Sequence, residues 1–141
     1  AFNQRLVDLV NASGAQNRVH FTGKVKNVES YLRASDLFVF ASEREGMANV
    51  ILEAMASGLP VVLTPHIGLP PDFGQPDHHY LMVERSADSI SSMIGKLLND
   101  KSLYSALARN GRKWLQETMD LEKVLDRYAA IYHELSRRSS A

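Results

Sequence analysis

The chain has 141 residues, 45% of them hydrophobic, and sixteen basic and sixteen acidic side chains give it a formal net charge of zero. This is enough for one domain with a hydrophobic core, and the balanced charge gives no indication of a nucleic-acid surface or a polybasic membrane patch. Cysteine is absent, which excludes disulfides and thiolate metal sites, and without a signal segment or an apolar run of bilayer length we expect a cytoplasmic protein.

The N-terminal part of the chain predicts a helix, a strand and a second helix. Apolar residues at helical spacing predict an amphipathic helix over residues 1 to about 11, which Ser13-Gly14 ends. An alternation of apolar and polar residues predicts a short strand over Arg18–Thr22, running into Gly23-Lys24-Val25. Asn27 is a suitable cap for a short helix that continues through Leu32.

Two continuous apolar runs, Leu37–Ala41 and Pro60–Thr64, are predicted strands. Because they do not alternate with polar residues, they are typical of a parallel sheet with helices on both faces. A helix from about Ala48 to Ser57 joins them and completes a βαβ unit. An irregular segment, Pro65–Pro76, then precedes a fourth predicted strand over Tyr80–Val83.

Three helices are predicted after the fourth strand. Ser86 caps the first, the second covers about 102 to 117, and the third covers 120 to about 137. We expect Trp114, Tyr128 and Tyr132 to be core residues; alternatively, part of the last apolar stripe packs against another domain and is exposed here.

The predicted fold is therefore α/β, a Rossmann-like doubly wound parallel sheet with helices on both faces and a helical C-terminal extension. Because four strands are few for such a sheet, we expect at least one strand to precede residue 1.

The carboxyl ends of the strands define the candidate site, because ligands of open parallel sheets bind there. Three predicted loops leave these ends: Gly23–Val25, Ser42–Met47 and Thr64–Gly68. The helix after Gly46 directs its N-terminus there, where free N–H groups and the helix dipole favour a phosphate. Glu53 lies in this apolar helix, and its carboxylate, if buried, needs a partner such as the two hydroxyls of a ribose. We therefore expect a nucleotide site.

The stretch 42–58, SEREGMANVILEAMASG, resembles the E-x7-E signature of the retaining family 4 (group 1) glycosyltransferases. The residues in register with that signature are Ser42, Glu45, Gly46, Glu53, Ala54, Met55, Ala56, Gly58, Pro60 and Val61. The stretches 19–25 and 34–39 resemble the family's V-x-F-x-G-x-V and A-D-x-x-V segments. The resemblance implies that residues 1–141 are the C-terminal, donor-binding half of a GT-B fold. Such a domain binds a nucleoside diphosphate sugar for retaining hexosyl transfer in polysaccharide biosynthesis, without a metal or other cofactor.

The resemblance also implies roles for individual residues. Glu45, the predicted catalytic residue, would hydrogen-bond the hydroxyls of the donor sugar. The backbone around Gly46, Met47, Ala48 and Asn49 would receive the sugar and the diphosphate, and Glu53 would bind the ribose. The loop residues Gly23, Lys24 and Val25 would flank the base, while His66 corresponds to the family pattern only loosely.

Departures from the family pattern leave alternatives open. Met47-Ala48 replaces Phe-Gly, and the Cβ of Ala48 stands where the backbone and the ligand come close. The family's first strand, its Arg and Lys, and its N-terminal acceptor domain have no counterpart, and any peripheral membrane contact would belong to that domain. We therefore expect negligible activity from this polypeptide alone. One alternative is a non-catalytic nucleotide-binding or regulatory GT-B-like module. A receiver or flavin-binding domain is a further alternative, disfavoured because no early acidic cluster or phosphate loop is present.

Overall fold

The computed structural model describes residues 2–46 and 49–139. Within these ranges the helices and strands are α1 (Phe2–Ala12), α2 (Val28–Arg33), β1 (Phe38–Phe40), α3 (Asn49–Ala56), β2 (Val61–Leu63), β3 (Leu81–Met82), α4 (Ala87–Asn99), α5 (Lys101–Thr118) and α6 (Leu121–Ser139). None of the helices in this part of the chain combines the length and the apolar character needed to cross a membrane.

The three strands form one parallel sheet in the order β1-β2-β3. Val62 in the middle strand pairs with Val39 on one side and Leu81 on the other. The ladder continues beyond the strand ends, where the N–H of Phe38 donates to the carbonyl oxygen of Pro60 (3.0 Å). The two apolar runs and the predicted strand over Tyr80–Val83 are thus confirmed as strands, each shorter than predicted.

Both faces of the sheet are covered, as the continuous apolar runs predict. In β2, Val61 and Leu63 pack against α2 and α3, whereas Val62 points to the opposite face and packs against α4 and α5. All three β2 side chains are completely buried. The α/β fold with a parallel sheet and helices on both faces is therefore confirmed.

The strand predicted over Arg18–Thr22 is wrong, since this segment is irregular. The N–H groups of Arg18 and Val19 both donate to the carbonyl of Ala15, forming a local turn after α1. An isolated extended segment needs a neighbouring strand for its backbone hydrogen bonds, and no described strand lies beside this one. The apolar residues of the segment stay exposed as a result, with Phe21 54% accessible.

Helix α3 ends in a Schellman motif at Gly58. The N–H of Gly58 donates to the carbonyl of Met55 (2.9 Å), and the N–H of Leu59 donates to that of Ala54 (3.1 Å). Gly58 has φ 78°, a backbone conformation that glycine adopts without the cost of a Cβ contact. This compact ending turns the chain directly from α3 into β2.

Helices α4 and α5 begin at side-chain caps. The predicted cap Ser86 is confirmed, because its hydroxyl accepts a hydrogen bond from the N–H of Ser89 (3.1 Å). Asp100 caps α5, because its side chain accepts hydrogen bonds from the N–H groups of Ser102 and Leu103. These bonds, that from Leu103 above all, hold the pKa of Asp100 below its usual value. These caps fix where both helices start against the sheet.

The apolar stripe of α6 is exposed, so Tyr128 and Tyr132 are not core residues as predicted. Tyr132 is 70% accessible, because no described element packs on this side of α6. Exposure of the stripe agrees with the alternative expectation for the last helix. Trp114 of α5, in contrast, packs on the core and meets the ring of Phe73 edge-on, with the ring centroids 5.1 Å apart.

Gly111 of α5 lies where the helix crosses the segment before β3. A Cβ at this position would be 2.7 Å from the carbonyl oxygen of His79. We expect Gly111→Ala to lower the free energy of unfolding by about 2 kcal/mol, because helix and backbone would have to move apart. The matched control is Gly95→Ala in α4, where a Cβ meets nothing within 4 Å. That change should stabilise the domain by about 0.5–1 kcal/mol in urea unfolding; equal effects of the two variants would contradict the close contact.

Candidate functional site

The loops that follow β1 and β2 lie side by side at the C-terminal edge of the sheet. Arg44 and Ile67 form an isolated parallel bridge. The N–H of Glu45 donates to the carbonyl of Ile67 (3.2 Å), and the N–H of Ile67 donates to that of Glu43 (3.1 Å). These bonds resume the β1–β2 pairing beyond the strand ends, so the backbone that carries Glu45 is fixed.

Gly68 permits this close approach of the two loops. It has φ 100°, and a Cβ built on it would lie 2.0 Å from the carbonyl oxygen of Glu45. A real Cβ cannot stand so close to a backbone oxygen, so any other residue at this position has to push the Glu45 loop away.

The carboxylate of Glu45 is exposed at the strand ends. Its Oε1 accepts a hydrogen bond from the hydroxyl of Ser42, with an O–O distance of 3.4 Å. The same hydroxyl lies 3.4 Å from the carbonyl oxygen of Arg44. The hydrogen bond to Glu45 is therefore long, and the hydroxyl is shared between two acceptors. Glu45 therefore combines a fixed backbone with a carboxylate that is open to hydroxyl groups of a ligand.

His66, in the second of these loops, is half-buried. Its Nδ1 is 3.1 Å from the carbonyl oxygen of Thr64, and because a carbonyl only accepts, this bond requires the proton on Nδ1. The ring also meets Phe40 edge-on, with the ring centroids 5.2 Å apart. His66 is thus anchored beside the end of β1, at the edge of the sheet where the site is predicted.

Glu53 is exposed, so the predicted burial of its carboxylate is wrong. The face of α3 that carries Ile51, Ala54 and Met55 packs into the core, and Glu53 lies on another face. Its carboxylate forms no hydrogen bond or ion pair with the side chains of the described residues. A carboxylate without a partner among the described residues is available to a ligand.

Glu53 lines a cavity of about 750 Å³ between α2, α3 and α5. The residues around this cavity are Lys26, Val28, Glu29, Leu32, Arg33, Glu53, Ala56, Ser57 and Arg112. The volume lies within the range of small-molecule sites, and charges of both signs line the walls. We call this space the Glu53 cavity.

The predicted site residues fall into two groups. Glu45, Gly46 and His66 lie at the strand ends, and exposed Asn49 begins α3 directly beyond them. The second group belongs to the Glu53 cavity. Gly23 (φ 61°), exposed Lys24 and half-buried Val25 form the segment that leads into it, because the next residue, Lys26, is part of its wall. The predictions for Met47 and Ala48 lie outside the described residues.

Sequence reasoning missed Arg85, the first basic residue after β3. Its guanidinium donates hydrogen bonds to the carbonyl oxygens of Ser42 and Pro65 and to the hydroxyl of Thr64. The signal was available, because β3 also ends at the C-terminal edge of the sheet and its following segment belongs to the same group of loops.

Comparison with known proteins identifies relatives along most of the chain. The family model described as glycosyl transferases group 1 matches residues 1–114. The N-acetyl-alpha-D-glucosaminyl L-malate synthase of Bacillus anthracis is 32% identical over 132 residues, which are 94% of this chain and 35% of that protein. The chain thus spans about a third of the length of this relative.

Solved structures share the fold. The C-terminal domain of a group 1 family glycosyl transferase, LpcC of Francisella tularensis, matches with a TM-score of 0.73 and 28% identity over 85% of this chain and 63% of that chain. HepE of Anabaena, solved in complex with UDP, matches with a TM-score of 0.82 and 20% identity. That match covers 93% of this chain and 36% of HepE, and at this identity it supports the fold alone.

Proposed function

The chain belongs to the group 1 glycosyl transferases, and from this premise we propose that it is the donor-binding domain of a GT-B enzyme. In this proposal it binds a nucleoside diphosphate sugar for retaining hexosyl transfer in polysaccharide assembly. The acceptor is held by an N-terminal domain of the longer protein, and the reaction needs no protein-bound metal. The observation that carries the proposal is the placement of Glu45 and Glu53 on either side of the start of α3.

Glu45 is proposed to bind the donor sugar. Its backbone is held by the bridge between Arg44 and Ile67, so the carboxylate projects from a fixed point at the strand ends. A carboxylate accepts hydrogen bonds from sugar hydroxyls, and charge-assisted bonds of this kind are the stronger ones. Fixing the sugar at this edge would hold its anomeric carbon beside the diphosphate.

The start of α3 is proposed to receive the diphosphate. α3 begins at Asn49, four positions after Glu45 in the sequence, and no acidic residue stands in its first turn to repel an anion. The free N–H groups of a helix N-terminus and the positive end of its dipole stabilise negative charge. The same groups would stabilise the charge that develops on the leaving nucleoside diphosphate when its bond to the anomeric carbon breaks.

Glu53 is proposed to bind the ribose within the Glu53 cavity. It lies about one turn beyond the start of α3, and its carboxylate is open to this space. Two neighbouring ribose hydroxyls can each donate to one carboxylate oxygen, as in dinucleotide-binding folds. The segment 23–25, which precedes the cavity wall, would then flank the base.

The proposal predicts that a nucleoside diphosphate stabilises the isolated domain. We expect UDP, GDP or ADP to raise Tm, because a ligand at about ten times its Kd adds about 1.4 kcal/mol to the free energy of unfolding. Differential scanning fluorimetry with each compound measures the shift, with inorganic pyrophosphate and uridine as controls for the two halves of the ligand. Failure of all three nucleotides at millimolar concentration would contradict the proposed function.

A further inference from the structure

Arg85 connects the ends of the strands at the candidate site. It follows β3, yet its Nε donates to the hydroxyl of Thr64 after β2 (3.4 Å), and its Nη2 donates to the carbonyl of Ser42 after β1 (3.2 Å). The same Nη2 also donates to the carbonyl of Pro65. One guanidinium therefore reaches residues that follow both of the other strands.

Thr64 strengthens this connection from the inside. Its side chain is buried, and its hydroxyl can donate to the carbonyl of Ser42 (3.5 Å) while it accepts from Arg85. The carbonyl of Ser42 lies beyond the end of β1, where the regular ladder supplies no partner. A planar guanidinium has several N–H donors in fixed directions and can bind these acceptors together, which a lysine ammonium cannot reproduce.

Ser42 links Arg85 to Glu45 by two hydrogen bonds. The backbone carbonyl of Ser42 is held by Arg85, and its hydroxyl is the donor to Oε1 of Glu45. A shift of Ser42 would therefore remove the side-chain hydrogen bond that orients the carboxylate proposed to bind the sugar, while the bridge between Arg44 and Ile67 still holds the backbone of Glu45. In the described hydrogen bonds, Arg85 has no link to Glu53 or to α3.

We propose that Arg85 is a positioning residue for the sugar moiety of the donor. This inference rests on the proposed function and deepens it, because it separates recognition of the sugar from recognition of the nucleotide. Loss of Arg85 leaves the ribose and diphosphate contacts in place and weakens only the contact of Glu45 with the sugar. The ratio of the Kd for UDP-glucose to the Kd for UDP then rises, whatever the absolute affinities are.

The test is calorimetric titration of the wild-type domain and Arg85→Ala with UDP and UDP-glucose, and with GDP and GDP-mannose if UDP does not bind. We expect Arg85→Ala to raise the ratio of the two Kd values about tenfold, with the Kd for the bare nucleotide changed less than about twofold. Arg85→Lys should restore the ratio only in part, because the ammonium lacks the fork of donors. Arg109→Ala, which removes an exposed arginine of α5, is the matched control and should change neither constant.

Thr64→Val keeps the shape of the side chain but removes its hydroxyl, and should raise the same ratio in the same direction. This variant keeps the inference testable if Arg85→Ala does not fold. An unchanged ratio in both variants, or a parallel rise of both constants, would overturn the positioning role and leave the proposed function intact. No binding of either pair, nor of ADP, to the wild-type domain would overturn the proposed function itself.

Discussion

Gly68→Ala is expected to release the loop that carries Glu45 and to weaken binding of a nucleotide sugar by about tenfold or more. The new Cβ would stand 2.0 Å from the carbonyl oxygen of Glu45, at a residue with φ 100°. Backbone strain and the forced displacement together should lower the free energy of unfolding by about 3 kcal/mol. Urea unfolding and calorimetric titration of the same preparation measure the two effects.

Gly58→Ala is the control that separates the effect of backbone strain from the effect of a Cβ contact. Gly58 also has a positive φ, 78°, but a Cβ there meets nothing within 4 Å. This control should lose only about 1–2 kcal/mol of stability and keep wild-type affinity for the nucleotide sugar. If the two variants lost the same stability and both kept their affinity, the close approach of the loops at Gly68 would not hold.

Glu53→Ala is expected to weaken binding of a nucleoside diphosphate by at least about 100-fold. The change removes two carboxylate oxygens, each proposed to accept a ribose hydroxyl, and charge-assisted hydrogen bonds contribute about 1.5–3 kcal/mol each. Glu53 is exposed and has no side-chain partner among the described residues. The free energy of unfolding should therefore change by less than about 0.5 kcal/mol. Calorimetric titration and urea unfolding together measure this combination of lost affinity and kept fold.

Glu29→Ala is the matched control, since Glu29 is a second carboxylate on the wall of the same cavity. It lies on α2 and not on α3, and its loss should change the affinity by less than about twofold. An affinity that survives the loss of Glu53 but not that of Glu29 would show that another carboxylate binds the ribose.

Sequence patterns predicted the strands and helix caps that depend on residues close together in the chain. The two apolar runs around α3 became β1 and β2 with both faces covered, because continuous apolar strands are stable only between two layers. Ser86 caps α4 by a bond to a residue three positions later, which its side chain can reach from sequence spacing alone.

Elements that depend on distant partners were not predictable in the same way. The alternation around Val19 and Phe21 describes a strand only if another strand pairs with it, and the described sheet has none there. The stripe of α6 likewise shows which face is apolar, but not which surface packs on that face.

The candidate site follows the same division. Glu45 and Glu53 are predicted site residues because they belong to one short signature, and their roles stay predictions, whereas the exposure of Glu53 depends on how α2 and α5 stand around α3. Arg85 bonds to Ser42 across 43 positions of sequence, and the need for Gly68 arises from the pairing of two separate loops. No pattern within either segment contains these contacts.

The most direct test of the donor site is to map the residues that a bound nucleotide touches. We would titrate the ¹⁵N-labelled domain with the nucleoside diphosphate that raises its Tm and follow the backbone amide resonances by NMR. The account predicts the largest shifts at residues 23–29 and 49–53, in the segment that leads into the Glu53 cavity and in α3, and smaller shifts at 42–46 and 64–68, where the sugar is proposed to bind. Shifts confined to α4, α5 and α6, with these segments unchanged, would contradict it.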